Sequence, residues 1–595
     1  MHLPHCLRVW LVMCLSAWPG VVAVGGEDAK SGLAAWKDAW PVNAPLDIEW
    51  LGETEHDGVK VRALRYTGSM AGGEPQRIYA VYALPPFAGP GQKVPAIVQI
   101  HGGGQTCQAS NVAWFARRGY ACLAFDWGGP RDGRSPETTT VWGSAVSRDY
   151  IDRPAGGVSD VFLLHAVLAA RRAIDVLHAQ PEVNAGRVGV QGISWGGLLT
   201  WLVGATEPRV KAVVPVYGVG GLDRGKIGEG EGLRRRGEEW VRMWTETFDP
   251  RRLSVEVKAP VLFCNGSNDW FGTLTSSEEA MSGVRVDHAR SYAPNRNHSL
   301  DRGNVQAAMD WLDGLLKSTA LPAGADPRID LAASGEGGLM AVVKADGAAD
   351  VQVLFSRGRR PDVARCWLQV AAIQGERGIW TATLPVRRSN EPVSVMAQAF
   401  TKNAGVFTSK VFLDVLPNSI AGVREVPATD AGPVIAPAGD LTAWFGETTT
   451  DFPGCFADEG LRRVDIGGRT AVTHAIPSKL NIATRRPADP GVLAGAGRDL
   501  VIWTHDLATA KVNLNENSRR LPGVKAWRAQ IQPGPGWVQT VLKPADFVPL
   551  EETASADPAG QPGETLDLSF HGQGVPGGIA AVGEVAWASP PLQSN

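Results

Sequence analysis

The stretch that decides the fold runs from Arg187 to Ala205: RVGVQ, then Gly192-Ile193-Ser194-Trp195-Gly196, then GLLTWLVGA. A short apolar run enters it and a helical run leaves it. A serine between two glycines at a strand-to-helix switch reads as a nucleophile elbow. The turn is so tight that side chains at Gly192 and Gly196 would meet neighbouring backbone, while the Ser194 hydroxyl is pushed into the open. In a chain with 70 glycines among 595 residues the pattern alone is weak. Three other features fall around it in order: His101-Gly102-Gly103-Gly104 upstream, then Asp269 and His298 downstream.

From about residue 46 to 320, apolar runs of strand length alternate with helical patterns. RIYAVYALP, VPAIVQIHG, ACLAFDWGG, RVGVQGIS, VKAVVPVYG and APVLFCNGS read as strands. NVAWFARRG, DVFLLHAVLAARRAIDVLHAQ, LLTWLVGAT and NVQAAMDWLDGLLKST read as helices. This alternation predicts an α/β domain with a doubly wound, mostly parallel sheet. Ligands of such sheets bind beyond the carboxyl ends of the strands. HGGG, DWGG, GISWG and NGSNDW each follow a strand run, so four candidate loops open on one edge. After Leu321-Pro322 only strand-length segments follow. Six or seven of them over residues 325–417 predict an immunoglobulin-like β-sandwich. Residues 436–595 predict a second all-β domain, whose last strands (in GWVQTVLKPADFVPLEE, GETLDLSFHGQG and IAAVGEVAWA) resemble a galactose-binding-like, carbohydrate-binding jelly roll.

Composition excludes several classes. The formal net charge is −3 and no basic stripe is present, so nucleic acid is not an expected partner. Arg234-Arg235-Arg236, flanked by Glu231, Glu238 and Glu239, reads as a salt-bridged helix face. The N-terminal VWLVMCLSAWPGVVAV with small residues near Ala23 reads as a cleaved signal peptide over residues 1–25, leaving residues 26–320 as the α/β domain with its N-terminal extension. Secretion or a periplasmic location is therefore expected, without stable membrane insertion. Of seven Cys, five remain in the mature chain: Cys107, Cys122, Cys264, Cys366 and Cys455. They are scattered and lack C-x-x-C spacing, which predicts neither a disulfide scaffold nor a metal site; no cofactor is expected. Cys122 and Cys264 fall in strand runs and read as buried small hydrophobes.

Acyl transfer from an ester needs an attacking oxygen, a base, a group to orient the base, and donors for the developing oxyanion. Ser194 supplies the oxygen. Of the histidines after it, His298 in APNRNHSL follows a strand and precedes the last helix of the α/β domain. His288 precedes that strand, at the wrong edge, so His298 is the expected base. Asp269, directly after APVLFCNGS, is the expected acid, with Glu278, Glu279 and Asp287 in reserve. An Asx turn is the ordinary role of such a loop aspartate; its place between Ser194 and His298 favours catalysis. The backbone N–H of Trp195, at a helix start, is one expected oxyanion donor, and Gly103 or Gly104 the other. His101 is expected to brace the glycine loop. Trp127, Trp195 and Trp270 lie on the loops around Ser194. Flat indole faces suit sugar rings, and Trp127, Trp270 and Gln105 are the expected substrate contacts. Trp240 and Trp244, spaced i and i+4, fit either a cap over the site or packing against the body.

Together HGGG, DWGG, PEVNAGRVGVQGISWGG, NGSNDW and PNRNH resemble the dienelactone hydrolase and acetyl xylan esterase branch of the α/β-hydrolase superfamily. They are also similar to prolyl oligopeptidase-like catalytic domains. The resemblance spans roughly residues 60–320. It implies Ser194 as nucleophile, Asp269 as acid, His298 as base, and Trp195 with the glycine loop as oxyanion hole. Dienelactone hydrolases proper carry a cysteine nucleophile, so the serine here points to ester hydrolysis. The expectation is an exported serine esterase that removes acyl groups from a polysaccharide or oligosaccharide. Two other readings stay open: a serine peptidase of the oligopeptidase type, and an inactive glycan-binding protein.

Overall fold

The computed structural model describes residues 32–588, apart from residues 41, 130–134, 148, 225–227, 425–431, 438–439, 447–460, 475, 477, 490–491, 493–497, 516–525 and 551–566. The expected signal peptide and Cys455 lie outside the described residues.

Nine strands build the N-terminal sheet: β1 (Glu49–His56), β2 (Val59–Ala71), β3 (Glu74–Ala83), β4 (Val94–Ile100), β5 (Ala121–Phe125), β6 (Val183–Ile193), β7 (Ala212–Val216), β8 (Val261–Gly266) and β9 (His288–Ala293). Their order is β1-β2-β3-β5-β4-β6-β7-β8-β9. From β5 to β9 every pairing is parallel, whereas β1, β2 and β3 pair antiparallel. The inner strands are apolar throughout because both of their faces are covered. Along β4, Val98 and Ile100 face a core formed with helices Phe162–His178 and Trp195–Thr206. Ile97 faces the opposite core, formed with helices Ala109–Ala116 and Arg302–Leu316. This is the expected doubly wound sheet, of α/β-hydrolase type. The two N-terminal strands β1 and β2 were not legible as such: β1 (EWLGETEH) is exposed over nearly its whole length and carries no apolar run.

Between β7 and β8, helices Gly228–Arg235, Glu238–Phe248 and Pro250–Leu253 form an insertion. Of the two readings for Trp240 and Trp244, packing is the one observed. Both are fully buried, and their Nε1–H groups donate to Ile151 O and Tyr150 O, each at 3.1 Å. In the arginine run, Arg235 pairs with Glu231, and Arg236 pairs with Asp149 at 3.2 Å.

The region beyond residue 320 is β-rich, as expected. In the second module, β10 (Arg328–Ala333), β11 (Leu339–Lys344), β14 (Ile373–Gln374) and β15 (Ile379–Thr383) form one sheet. On the other side of its core lie β12 (Asp350–Arg357), β13 (Leu368–Ala371), β16 (Val393–Phe400), β17 (Val406–Thr408) and β18 (Phe412–Val415). This second sheet is continuous with the first domain, because Thr408 of β17 pairs with Arg290 of β9. The junction explains why seven of the eight residues of β16 are buried. Val395 and Ala397 face the module's own core, while Met396 packs on the α/β domain and Gln398 Nε2 donates to Tyr292 O at 2.6 Å. The third module is an antiparallel sheet system around Ile482, Ile502, Val512, Phe570 and Val585. Its strands Gly534–Leu542, Asp567–Gly574 and Ala581–Trp587 coincide with the predicted ones.

Among the described residues, no helix is long and apolar enough to cross a membrane. Cys122, Cys264 and Cys366 are buried free thiols, and Cys107 is buried.

Candidate active site

Ser194 sits between β6 and the helix Trp195–Thr206 with φ 55° and ψ −122°. A non-glycine residue held in this sparsely populated region signals strain retained by its surroundings. Those surroundings are glycines with no room for a side chain. A Cβ at Gly192 would collide with Gly196 O, one at Gly196 with the carbonyls of Ile100 and His101, and one at Gly218 with Ser194 O. The Ser194 N–H donates to Val216 O at 2.8 Å, tying the elbow to the end of β7.

The glycine loop after β4 lies directly against this elbow. A Cβ on Gly102 would be 3.4 Å from Ser194 Cβ, and one on Gly103 would be 2.5 Å from the Trp195 ring. Gly104 holds φ 72°, a conformation that favours glycine. The Gly102 N–H is taken by Gln105 Oε1 at 2.9 Å. Among the described residues, the amides of Trp195 and Gly103 have no protein acceptor. Two backbone donors are thus left beside the serine, one of them in the first turn of a helix, where N–H groups lack intrahelical partners.

His101 braces the loop, as expected. Its Nδ1 is 2.7 Å from Gly102 O and its Nε2 accepts from Trp127 N at 3.1 Å. That pattern assigns the ring as a neutral Nδ1–H tautomer with both nitrogens engaged. Trp127 is the correction. It is fully buried, stacks on His101 at 5.2 Å, and donates from Nε1 to His101 O at 2.9 Å. With no exposed face, it supports the glycine loop from beneath and does not meet a ligand. The apolar strand just before it (ACLAF, residues 121–125) sets it in the core, where its N–H finds a carbonyl.

Asp269 and His298 come together across 29 residues of chain. Asp269 Oδ2 lies 2.6 Å from His298 Nδ1, and the carboxylate is fully buried. Oδ1 accepts the N–H groups of Phe271 (2.7 Å) and Gly272 (2.6 Å). The two roles weighed for this residue coexist: one oxygen closes the Asx-type turn and the other faces the histidine. A carboxylate on Nδ1 makes it the protonated nitrogen and leaves Nε2 as the basic one. His288 is at the start of β9 with Nδ1 2.9 Å from Val286 O, away from this edge. Glu278 is engaged by Arg290 and Tyr292, and Glu279 by Arg224 and Arg251.

The histidine and the serine share one aromatic surround. Tyr217, which follows β7 and itself holds φ 64°, has its ring 4.3 Å from that of His298. Trp270 lies 5.8 Å and Phe271 6.3 Å from the histidine, and Phe271 is 5.0 Å from Trp195. Tyr150 stacks on Trp195 at 4.5 Å. Tyr150 is held in turn by the Trp244 N–H, so the helical insertion shapes one wall beside the elbow. Among the described residues, no hydrogen bond joins Ser194 Oγ to His298. Such contacts are commonly long in free enzymes and tighten with substrate. Trp270 and Gln105 keep partial exposure at this edge, whereas Trp195 presents its backbone and buries its ring.

Sequence reasoning missed Tyr150, Tyr217 and Phe271, which are distant in sequence from one another and carry no motif. A groove of about 560 Å³ at the junction of the three modules reaches the His298 loop from behind, through Pro294, Asn295 and Arg296.

A strained serine, two vacant amide donors and a carboxylate-bound histidine form the parts list of nucleophilic acyl transfer. Residues 40–219 match the acetyl xylan esterase (AXE1) family model. This acetyl xylan esterase match includes the glycine loop and the elbow; Asp269 and His298 lie beyond it. No curated protein matches the chain. Among solved structures, acetyl xylan esterase 1 from Thermoanaerobacterium sp. JW/SL YS485 is 22% identical with a TM-score of 0.40. The match covers 48% of this chain and 92% of that one. The acetyl xylan esterase from Paenibacillus sp. R4 is 19% identical with a TM-score of 0.40, over the same shares of each chain. A glucuronoyl esterase from Solibacter usitatus is 14% identical with a TM-score of 0.34, covering 46% of this chain and 87% of its own.

Proposed function

We propose that this chain is an exported serine esterase that removes acyl groups, of the acetyl class, from polysaccharide or oligosaccharide. The observation that carries the reading is the Asp269–His298 hydrogen bond of 2.6 Å at the edge where Ser194 stands at positive φ. The acetyl xylan esterase match over residues 40–219 supports the substrate class.

In this reading Ser194 Oγ attacks the ester carbonyl carbon and its proton passes to His298 Nε2. The negative charge that develops on the carbonyl oxygen is met by the N–H groups of Trp195 and of Gly103 or Gly104. Collapse of the tetrahedral intermediate breaks the bond to the sugar oxygen, which takes the proton from His298 and leaves as a free hydroxyl. Water then attacks the acyl-serine and loses its proton to His298; as the bond to Ser194 Oγ breaks, His298 returns the proton to that oxygen and the carboxylic acid departs. Asp269 holds the imidazole in the required tautomer and stabilises the imidazolium. Trp270 and Gln105, half-exposed beside the serine, are the side chains for the sugar. In the same reading the second module (325–417) is an immunoglobulin-like sandwich and the third (436–595) a jelly roll of carbohydrate-binding type. Residues 1–25 are a leader removed on export.

Ser194→Ala tests the reading. It is expected to lower hydrolysis of p-nitrophenyl acetate and of acetylated xylo-oligosaccharide by a factor on the order of 10⁴ or more, with an unchanged melting temperature. Wild-type turnover in that variant overturns it. Turnover of short peptide amides in preference to acetylated sugars moves the assignment to a peptidase.

A further inference from the structure

The loops bearing Asp269 and His298 are joined directly to each other. The Asn268 N–H donates to Arg296 O at 2.9 Å, and the Trp270 N–H donates to Asn297 Oδ1 at 3.1 Å. Ser267 Oγ donates to Asn268 Oδ1 at 2.8 Å and accepts from the Asn295 N–H at 2.9 Å. The outer side of this joined pair packs against the second module at residues 362–367.

Each loop offers that stretch one asparagine. Asn268, next to Asp269 in the chain, donates from Nδ2 to Asp362 O at 3.1 Å and to Arg365 O at 2.7 Å. Asn295, three residues before His298, makes a two-way pair with Trp367. Its Nδ2 donates to Trp367 O, and its Oδ1 accepts the Trp367 N–H, both at 2.8 Å. Asn295 has φ 58°, in the left-handed region that asparagine tolerates better than other side chains. The third module closes the arrangement: Arg485 donates from Nε to Asn295 O at 2.9 Å and from Nη1 to Val363 O at 3.1 Å. Asn268, Asn295, Arg365, Trp367 and Arg485 are all buried. The stretch itself is fixed from within its module, where Arg365 binds Ser394 Oγ at 2.9 Å and Asp414 Oδ1 at 3.0 Å.

Hydrogen bonds this buried cost their full desolvation penalty when one partner is removed. They also fix backbone position more sharply than apolar contact does. Cores hold their shape through discrete arrangements, and a misplacement of about 1 Å at a reacting group can cost about 10²-fold in rate.

We propose that Asn268 and Asn295 are positioning residues, through which residues 362–367 of the second module hold the Asp269–His298 pair in register with Ser194. The β module is then a working part of the esterase site, in addition to any sugar binding. This proposal rests on the esterase reading above.

The test uses the full-length chain with Asn268→Ala combined with Asn295→Gly; the glycine keeps the positive φ and deletes both side-chain hydrogen bonds. Turnover of p-nitrophenyl acetate is expressed per active site titrated with a fluorophosphonate, so that an unfolded fraction does not count. The expected result is a kcat lower by about 10- to 100-fold with KM within about twofold. A kcat within twofold of the wild type overturns the proposal. Asn295→Asp keeps the acceptor for the Trp367 N–H and loses the donor. It supplies the same comparison if the double variant does not fold, with an expected loss of about fivefold and the same contrary result. Ser194→Ala run alongside separates the two levels. If it retains activity the esterase reading has failed; if it is inactive while the clamp variants match the wild type, only the clamp has failed.

Discussion

The two halves of the site are built by different means. On the serine side, order comes from excluded volume inside one domain: Gly192, Gly196 and Gly218 let backbone meet backbone, and the strained Ser194 has nowhere else to go. On the acid–base side, order comes from hydrogen bonds that cross between modules, through Asn268 and Asn295 to residues 362–367 and through Arg485. Steric order fails by collision and takes the local fold with it. Hydrogen-bonded order fails by loosening and leaves the fold standing. The comparison therefore predicts that lesions on the two sides separate stability from rate.

The largest effect should follow from breaking the acid–base side at its centre. Asp269→Asn removes the carboxylate that fixes the His298 tautomer and is expected to lower kcat by about 10⁴-fold. Circular dichroism and gel filtration should stay as in the wild type. On the serine side, Gly196→Ala places a methyl group against two backbone carbonyls that cannot move without opening β4. It is expected to destabilise by about 3 kcal/mol, the upper end of the usual overpacking cost, read as a lower denaturant midpoint with activity lost in parallel. If Gly196→Ala kept full stability and lost only rate, the distinction between the two sides would not hold.

A third variant sharpens the serine side. Trp244→Phe keeps an aromatic side chain but shrinks the buried indole and deletes the N–H that holds Tyr150 O, and Tyr150 forms the stacked wall against Trp195. The expected cost is about 2 kcal/mol or more, from the unsatisfied carbonyl together with the cavity the smaller ring leaves, with KM raised a few-fold and kcat little changed.

How much of this was legible depends on distance along the chain. The elbow and the glycine loop were readable because the glycines that matter lie within two residues of the serine, or follow a strand directly. Asp269 and His298 were readable from the order of strands and loops. Trp127 misled, since its place after a strand suggested the ligand edge, while the buried strand before it (β5) and its own contacts with His101 hold it beneath the glycine loop. The asparagine clamp had little sequence signal: its partners are 72 to 97 residues apart, and they meet in a fold where β17 of the second module pairs with β9 of the first. The asparagine-rich texture of NGSNDW and PNRNH was the one available hint, as asparagine both tolerates positive φ and offers a donor with an acceptor.

A pH dependence that lies outside the site should not be confused with catalysis. His165 is buried against Ser69, 2.8 Å from its hydroxyl, and burial pushes the imidazole down to about 4. The unfolded chain takes up this proton below about 6.5, whereas the folded chain does so only near 4. Stability is thus complete above pH 6.5 and is lost as the pH falls towards 4, by on the order of 3 kcal/mol in total. The melting temperature should decline across that window, and His165→Gln should flatten the decline while leaving the activity profile of His298 in place. A decline unchanged in that variant would assign it to other groups.

The most direct measurement of the central claim is the site of covalent labelling by a fluorophosphonate in the intact chain. The expected outcome is one label per chain on the peptide that carries Ser194. Labelling should be slowed by orders of magnitude in Asp269→Asn, and it should be slowed, with the fold retained, when Asn268 and Asn295 are replaced together. Label on any other residue, or labelling of Asp269→Asn at the wild-type rate, would contradict the account.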